Sequence, residues 1–330
     1  MTKIVLGLGA SHSPLMALEG KRWSERARDD MRNQHLNLSD GRYISYDQLA
    51  AETGAPWSEV ATEAKFDELE ARSQGALNRL AAALAQAAPD VVVIVGDDQA
   101  ELFGPANMPA LSVFHGAEIV MHPLKVTDST PAWRRTVAAH NAMDAAHVFP
   151  GHPDLALAII SGLIEREFDV SAASRVADPA NAGFGHAYGF IIARLFGKRR
   201  IPVVPVLLNT YYPPNVPTPK RCLDLGRALR DVIEAYPEPL RVAVAASGGL
   251  SHFVVDEALD LGIVAALRDG NHGVLAKLPV TALNSGSSEI RNWIVVAGMA
   301  ESLRNEWIEY LPIRRTPAGT GIGAAFALWR

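Results

Sequence analysis

The side chains suited to metal or acid–base chemistry sit where apolar runs break: His12, the Asp97-Asp98-Gln99 cluster, His186, His252 and Glu289. His252 ends the stretch Arg241-Val242-Ala243-Val244-Ala245-Ala246-Ser247-Gly248-Gly249-Leu250-Ser251-His252-Phe253. There a small, β-branched run of strand length gives way to two glycines and then an imidazole. Ser11-His12-Ser13-Pro14 follows the apolar run Ile4–Leu8 in the same way, and Gly96-Asp97-Asp98-Gln99 follows Val91–Val95. Glycines also flank His186 in Gly183-Phe184-Gly185-His186. Glu289 follows Ser287 and Ser288, either of which suits a helix cap that would put the carboxylate in the first turn. Each position has an ordinary structural reading: a tight turn, a loop-capping carboxylate, a helix cap. Several strands ending in polar clusters point instead to one shared site. Two imidazoles and a carboxylate with open positions form the facial arrangement of non-haem Fe(II) oxygenases. A histidine outside the coordination sphere can move protons, because its pKa lies near neutrality. The same residue types also suit a zinc hydrolase built on His12, Asp98, His252 and Glu289, which would ignore O2. A metal-free binding protein with a degenerate site is the third reading.

The elements that must position these residues follow from the patterning. Val91–Val95 is an uninterrupted β-branched run of the kind that forms a central parallel strand. Ala64–Ala88 is a long amphipathic helix with Leu69, Leu77, Leu80 and Leu84 at helical spacing. Further helices are expected from Gly151-His152-Pro153 onward, over Arg221–Ala235 and over Val254–Arg268, and a strand over Phe168–Ala173. Pro202 and Pro205 mark Ile201–Leu208 as an edge or irregular strand. Residues 132–148 read as irregular, and the charged residues 20–60 as a helical insertion or lid. The pattern predicts an α/β fold: a single domain over residues 1–330, with a mostly parallel central sheet covered by helices. In such sheets ligands bind at the carboxyl ends of the strands.

Composition narrows the function classes. The chain has 330 residues, 48% of them hydrophobic, which is ample for a large core. A net charge of -5 without a basic stripe argues against a nucleic-acid partner. Cys222 is the single cysteine, so an intramolecular disulfide and a thiolate metal cluster are both excluded. No apolar stretch reaches the length of a membrane span, and the first residues read as a strand, so a cytoplasmic protein is expected.

Four motifs in order, Ser11-His12-Ser13-Pro14, Gly185-His186, Ser247-Gly248-Gly249-Leu250-Ser251-His252 and Ser288-Glu289-Ile290-Arg291-Asn292-Trp293, resemble the signatures of the class III extradiol ring-cleavage dioxygenases. This is the superfamily of the protocatechuate 4,5-dioxygenase catalytic subunit. The resemblance implies Fe(II) as cofactor, a catechol-type aromatic substrate cleaved with O2, and His12 and Glu289 as metal ligands. It implies an acid–base role for His252, and a substrate-orienting or proton-shuttling role for His186. It also implies assembly into homo-oligomers and, in some members, a small helical partner subunit. One position departs from the family pattern. An aspartate-histidine pair, its histidine a metal ligand, is replaced by Asp98-Gln99. Gln99 is the expected third ligand on this likeness, with Asp98 or His35 as the alternatives.

Overall fold

The apolar runs become strands of one eight-stranded sheet in the computed structural model, which describes all of residues 1–330. The first half of the chain contributes β1 (Lys3–Ala10), α1 (Trp23–Asp30), β2 (Leu36–Asn37), β3 (Tyr43–Ile44), α2 (Tyr46–Thr53), α3 (Glu63–Ala87), β4 (Val91–Asp97), β5 (Leu111–Phe114), β6 (Glu118–Val120), α4 (Ala132–His140), β7 (Val148–Pro150) and α5 (Pro153–Ile164). The second half contributes β8 (Ser171–Ala173), α6 (His186–Leu195), β9 (Val203–Leu208), α7 (Pro219–Glu234), β10 (Arg241–Ser247), α8 (Glu257–Arg268), α9 (His272–Leu275), α10 (Ile290–Met299), β11 (Asn305–Arg314) and β12 (Gly321–Trp329). The order across the sheet is β11-β12-β1-β10-β4-β9-β5-β8. Strands β1, β10, β4 and β9 run parallel at its centre. Their carboxyl ends therefore lie along one edge, and the loops bearing His12, His252, Gln99 and Tyr211 emerge there together.

Both faces of the sheet are buried. Val91, Val93 and Val95 join a core with Leu155, Leu229 and Val296 from α5, α7 and α10, whereas Val92 and Ile94 pack with Leu80 and Ile191 from α3 and α6. That division follows from the two-residue alternation of a strand, and it explains why β4 has no polar face.

Three local expectations need correction. Val203–Leu208 is an interior strand between β4 and β5, and all of it is buried. Its proline is tolerated because the pairing of β9 with β5 stops at Val206, one residue short of Pro205, so no ladder bond to β5 is lost. Residues 132–140 form α4, anchored by the buried Trp133 and Ala138. The charged segment 20–60, expected as a helical insertion or lid, is anchored to the rest of the fold by buried side chains. Trp23 is fully buried, its indole N–H donating to the Leu15 and Leu18 carbonyls, and Asp30 is buried as well. Lastly, neither Ser287 nor Ser288 caps α10. The Ser287 hydroxyl donates to the His252 carbonyl and the Ser288 hydroxyl to Thr210.

Helix α10, which begins just after Glu289, is tied at its far end by an ion cluster. Glu301 accepts Arg227 Nη2 at 2.6 Å, Arg230 Nη1 at 2.9 Å and His272 Nδ1 at 2.9 Å, joining α10 to α7 and α9. The Arg227 hydrogen bond is the largest influence holding the Glu301 carboxyl down at about 2. A depressed carboxyl stabilises the fold above its unfolded pKa, and that stabilisation is lost as pH falls through the folded value. The Glu301 side chain is 25% exposed, so screening reduces the effect. Glu301→Gln is expected to cost about 1 kcal/mol at pH 7 by urea unfolding. The gap to the wild type should narrow as pH falls below about 4.5; a gap independent of pH would place the loss elsewhere.

Candidate metal centre

Each side chain of the site arrives from a different strand end. Ser11 anchors the turn after β1, its backbone N–H bonded to the Ala325 carbonyl and its hydroxyl accepting from the Ala325 N–H. His12 follows, 4% exposed, with Nδ1 3.0 Å from the Ser247 hydroxyl at the end of β10. That contact turns Nε2 toward Glu289, 3.5 Å from Oε1, where it is buried and has no hydrogen-bond partner. Glu289 is placed by the first turn of α10. Asn292 Nδ2 donates to the Ser247 carbonyl and Trp293 Nε1 to the Gly248 carbonyl, both at 2.8 Å, which pins the helix to the turn after β10. Gly248 has φ of +140°, and a Cβ there would lie 2.7 Å from Glu289 Cβ, so backbone conformation and close approach both require glycine. The Gly249 N–H donates to Glu289 Oε2 at 2.8 Å.

His186 opens α6 and meets His12 edge-on, with ring centroids 4.6 Å apart. Its Nδ1 lies 2.8 Å from Glu101 Oε1. A Cβ on Gly185 would fall 1.9 Å from Glu101 Oε2, so only glycine lets this carboxylate seat beneath the imidazole. The ligand atoms of His12, His186 and Glu289 all lie within 4.8 Å of one another. The set fits a metal ion: two imidazoles and one carboxylate converge, and a buried imidazole nitrogen between them lacks a partner. The Ser247 and Glu101 contacts are of the kind that fix ring orientation in ligating histidines.

Electrostatics divide the cluster into roles. Burial opposes ionisation of Glu289, but His12 and His252 facing it hold its carboxyl down at about 2. Burial likewise disfavours the His186 cation, yet Glu101 outweighs it and raises the imidazole to about 10. Burial pushes Glu101 up, and the His186 charge and hydrogen bond bring it below the usual range. His252 is lowered by burial, against the pull of Glu289. Its Nδ1 is 2.9 Å from the Leu250 carbonyl, so Nδ1 is the donor and Nε2 faces Glu289 Oε2 at 3.6 Å. Burial raises Asp97 to about 6, and Glu289 adds to that shift.

The five residues given a site role from the sequence, His12, Gln99, His186, His252 and Glu289, line one cavity of about 310 Å3. The two alternatives to Gln99 do not reach it. The Asp98 carboxylate accepts the backbone N–H groups of Glu101, Leu102 and Phe103 at 2.8–3.0 Å, which makes it a loop-capping group. His35 is exposed and does not line the cavity. The Gln99 amide nitrogen lies 2.9 Å from Asp97 Oδ2 and 3.4 Å from Glu289 Oε1, so it points a donor at two carboxylates. Sequence reasoning passed over Glu101, Tyr211, Arg26 and Arg315, which share the cavity. Tyr211 had a usable signal, since it follows the end of β9 as His12 follows β1. Glu101 had none, because only the fold brings it to His186, 85 residues away.

Over 107 residues, 32% of this chain, the sequence is 36% identical to a gallate dioxygenase of Pseudomonas putida. The matched stretch spans 30% of that curated relative's length. The family model for the catalytic LigB subunit of aromatic ring-opening dioxygenase matches residues 58–324, which takes in every site residue except His12 and Arg26. With a match over most of its length, this chain belongs to the LigB family of aromatic ring-opening dioxygenase catalytic subunits.

Proposed function

We propose that the protein is a non-haem Fe(II)-dependent dioxygenase that opens a catechol-type ring in the extradiol mode, using O2. The observation that carries this reading is the convergence of His12, His186 and Glu289 beside an orphaned imidazole nitrogen, in a chain of this family. Imidazole and carboxylate donors suit iron, and a three-residue set leaves positions open. Fe(II) bound there would bring the two hydroxyls of the ring and O2 together and let electron density pass between them. A zinc hydrolase would use similar donors, and family membership favours oxygen chemistry over it.

The third ligand in this reading is His186 rather than Gln99. With Nδ1–H bonded to Glu101, His186 would hold a metal through Nε2, which must then give up its proton. Gln99 acts as an amide donor that orients Glu289; turning the amide over would set its oxygen against the Asp97 and Glu289 carboxylates. His252, held by Leu250 with Nε2 toward the cavity, accepts a hydroxyl proton from the substrate and returns one as the ring opens. Tyr211 and Phe253 shape the wall against which the ring lies.

The deciding measurement is O2 uptake with benzene-1,2-diols after anaerobic loading with Fe(II), beside Zn(II)-loaded protein. Uptake that needs Fe(II) and yields a ring-opened product is expected; no Fe(II)-dependent O2 uptake with any of the diols would sink the reading. The ligand assignment makes a separate prediction. Glu101→Gln should weaken metal binding about tenfold, as loss of a histidine-orienting carboxylate does. Gln99→Ala should change metal affinity much less. The reverse order, by anaerobic titration with Fe(II), would return the third position to Gln99.

A further inference from the structure

We infer that Asp260 is a positioning residue for His252. Acting through the Leu250–Ser251 peptide group, it keeps Nδ1 of the imidazole as the donor and leaves Nε2 free to take a proton. The inference rests on the ring-cleavage reading above and adds a residue to its proton-transfer step. Asp260 lies on α8, is fully buried and does not line the metal cavity. Its Oδ1 accepts the Ser251 N–H at 2.8 Å, and its Oδ2 accepts the Ser251 hydroxyl at 2.6 Å and the Tyr310 hydroxyl at 2.8 Å. That Ser251 N–H belongs to the same peptide group as the Leu250 carbonyl, to which His252 Nδ1 donates at 2.9 Å. The two ends of a trans peptide group point in opposite directions. The contacts therefore run from the Asp260 carboxylate through one peptide plane to the imidazole. Strand β12 holds that plane in place: the Leu250 N–H donates to the Gly323 carbonyl at 2.9 Å, and the Gly323 N–H to the Ser251 carbonyl at 2.8 Å.

Two acceptors compete for the imidazole proton. The Leu250 carbonyl faces Nδ1, and the Glu289 carboxylate faces Nε2 at 3.6 Å. A carboxylate attracts a proton more strongly than a neutral carbonyl does. With the proton on Nε2, the nitrogen facing the cavity would be a donor, and His252 could not accept a hydroxyl proton from the substrate. Asp260 supplies the counterweight. A negative charge at the N–H end of a peptide group polarises its carbonyl, and hydrogen bonds linked in a chain strengthen one another. Burial raises the Asp260 carboxyl to about 6, and the Ser251 and Tyr310 donors oppose that shift, so the group is ionised in the neutral range. A buried carboxylate with these donors would also brace α8 against β11. Bracing and positioning differ in one observable, the tautomer of His252.

The tautomer is read by nitrogen NMR of the full-length, metal-free chain at about pH 8, where an ordinary imidazole is neutral. The His252 ring signals are assigned by their absence from His252→Ala. Turnover of benzene-1,2-diol and metal affinity are measured on Fe(II)-loaded protein. In the wild type the ring proton should sit on Nδ1. Asp260→Asn keeps an oxygen for the Ser251 N–H, and the Ser251 and Tyr310 hydroxyls can turn to accept from its amide. The variant should move the ring proton toward Nε2 and lower kcat about tenfold, the effect of taking the charge out of a hydrogen-bonded partner. KM and Fe(II) affinity should stay within about threefold of the wild type, because the loss falls on the transition state. Tyr310→Phe removes one of the bonds to Asp260 and keeps its charge. It should cost stability, yet leave the ring proton on Nδ1 and kcat within about threefold of the wild type. A wild-type His252 with its proton on Nε2 would overturn the inference whether or not either variant folds. An unchanged tautomer in folded Asp260→Asn, or an equal shift in Tyr310→Phe, would overturn it too. A tautomer that depends on Asp260, in a protein that consumes no O2 with any diol, would defeat the reaction assigned above while leaving the positioning role standing.

Discussion

Replacing His252 with alanine should leave metal binding near the wild-type stoichiometry while turnover falls by about two to four powers of ten, the span associated with a lost acid–base group. The geometry separates it from the candidate ligands. His252 Nε2 is 3.6 Å from Glu289 Oε2, yet the residue lies outside the set formed by His12, His186 and Glu289. Its other nitrogen is committed to the Leu250 carbonyl, and its backbone N–H to the Ser287 hydroxyl at 2.8 Å. The ring is therefore held with one nitrogen free toward the cavity, which is what proton transfer to a bound hydroxyl requires. Measured metal content and single-turnover rates decide the matter. Metal loss in His252→Ala, with activity restored by excess Fe(II), would make His252 a ligand.

A comparably large effect is expected from Glu289→Gln, this time on the metal. The substitution preserves shape and the capacity to accept from the Gly249 N–H, and it removes the one negative charge in the ligand set. Because His12 and His252 hold this carboxyl at about 2 against the cost of burial, it is ionised throughout the neutral range. Fe(II) affinity should fall by about a hundredfold or more, exceeding the roughly 10–100-fold lost with a partner outside the coordination sphere, while circular dichroism shows the fold retained. If Glu289 served only the amino terminus of α10, the cost would instead be about 1 kcal/mol of stability. Undiminished affinity in a stable Glu289→Gln protein would rule out ligation.

The sequence by itself determined the frame of this protein. Apolar runs ending in glycine and then a histidine or paired aspartates marked β1, β4 and β10, because strand burial and turn conformation are local properties of residue type. The order of the motifs around His12, His186, His252 and Glu289 was enough to identify the family. The tertiary structure decided which atoms face each other. Local pattern placed Pro205 at an edge, but β9 pairs with both β4 and β5 and is interior, the β5 pairing reaching only as far as Val206. Asp98 and Gln99 are neighbours in sequence, yet one caps a loop and the other points at Glu289, because their side chains leave the end of β4 in different directions. The choice between the two nitrogens of each imidazole rests on Ser247, Glu101 and Leu250, two of which come from distant chain segments. Asp30 and Arg315 are 285 residues apart, and nothing local to the charged helix marks Asp30 as buried. Hydrogen-bond direction and charge burial depend on which distant groups share a buried volume, and residue spacing carries no record of that.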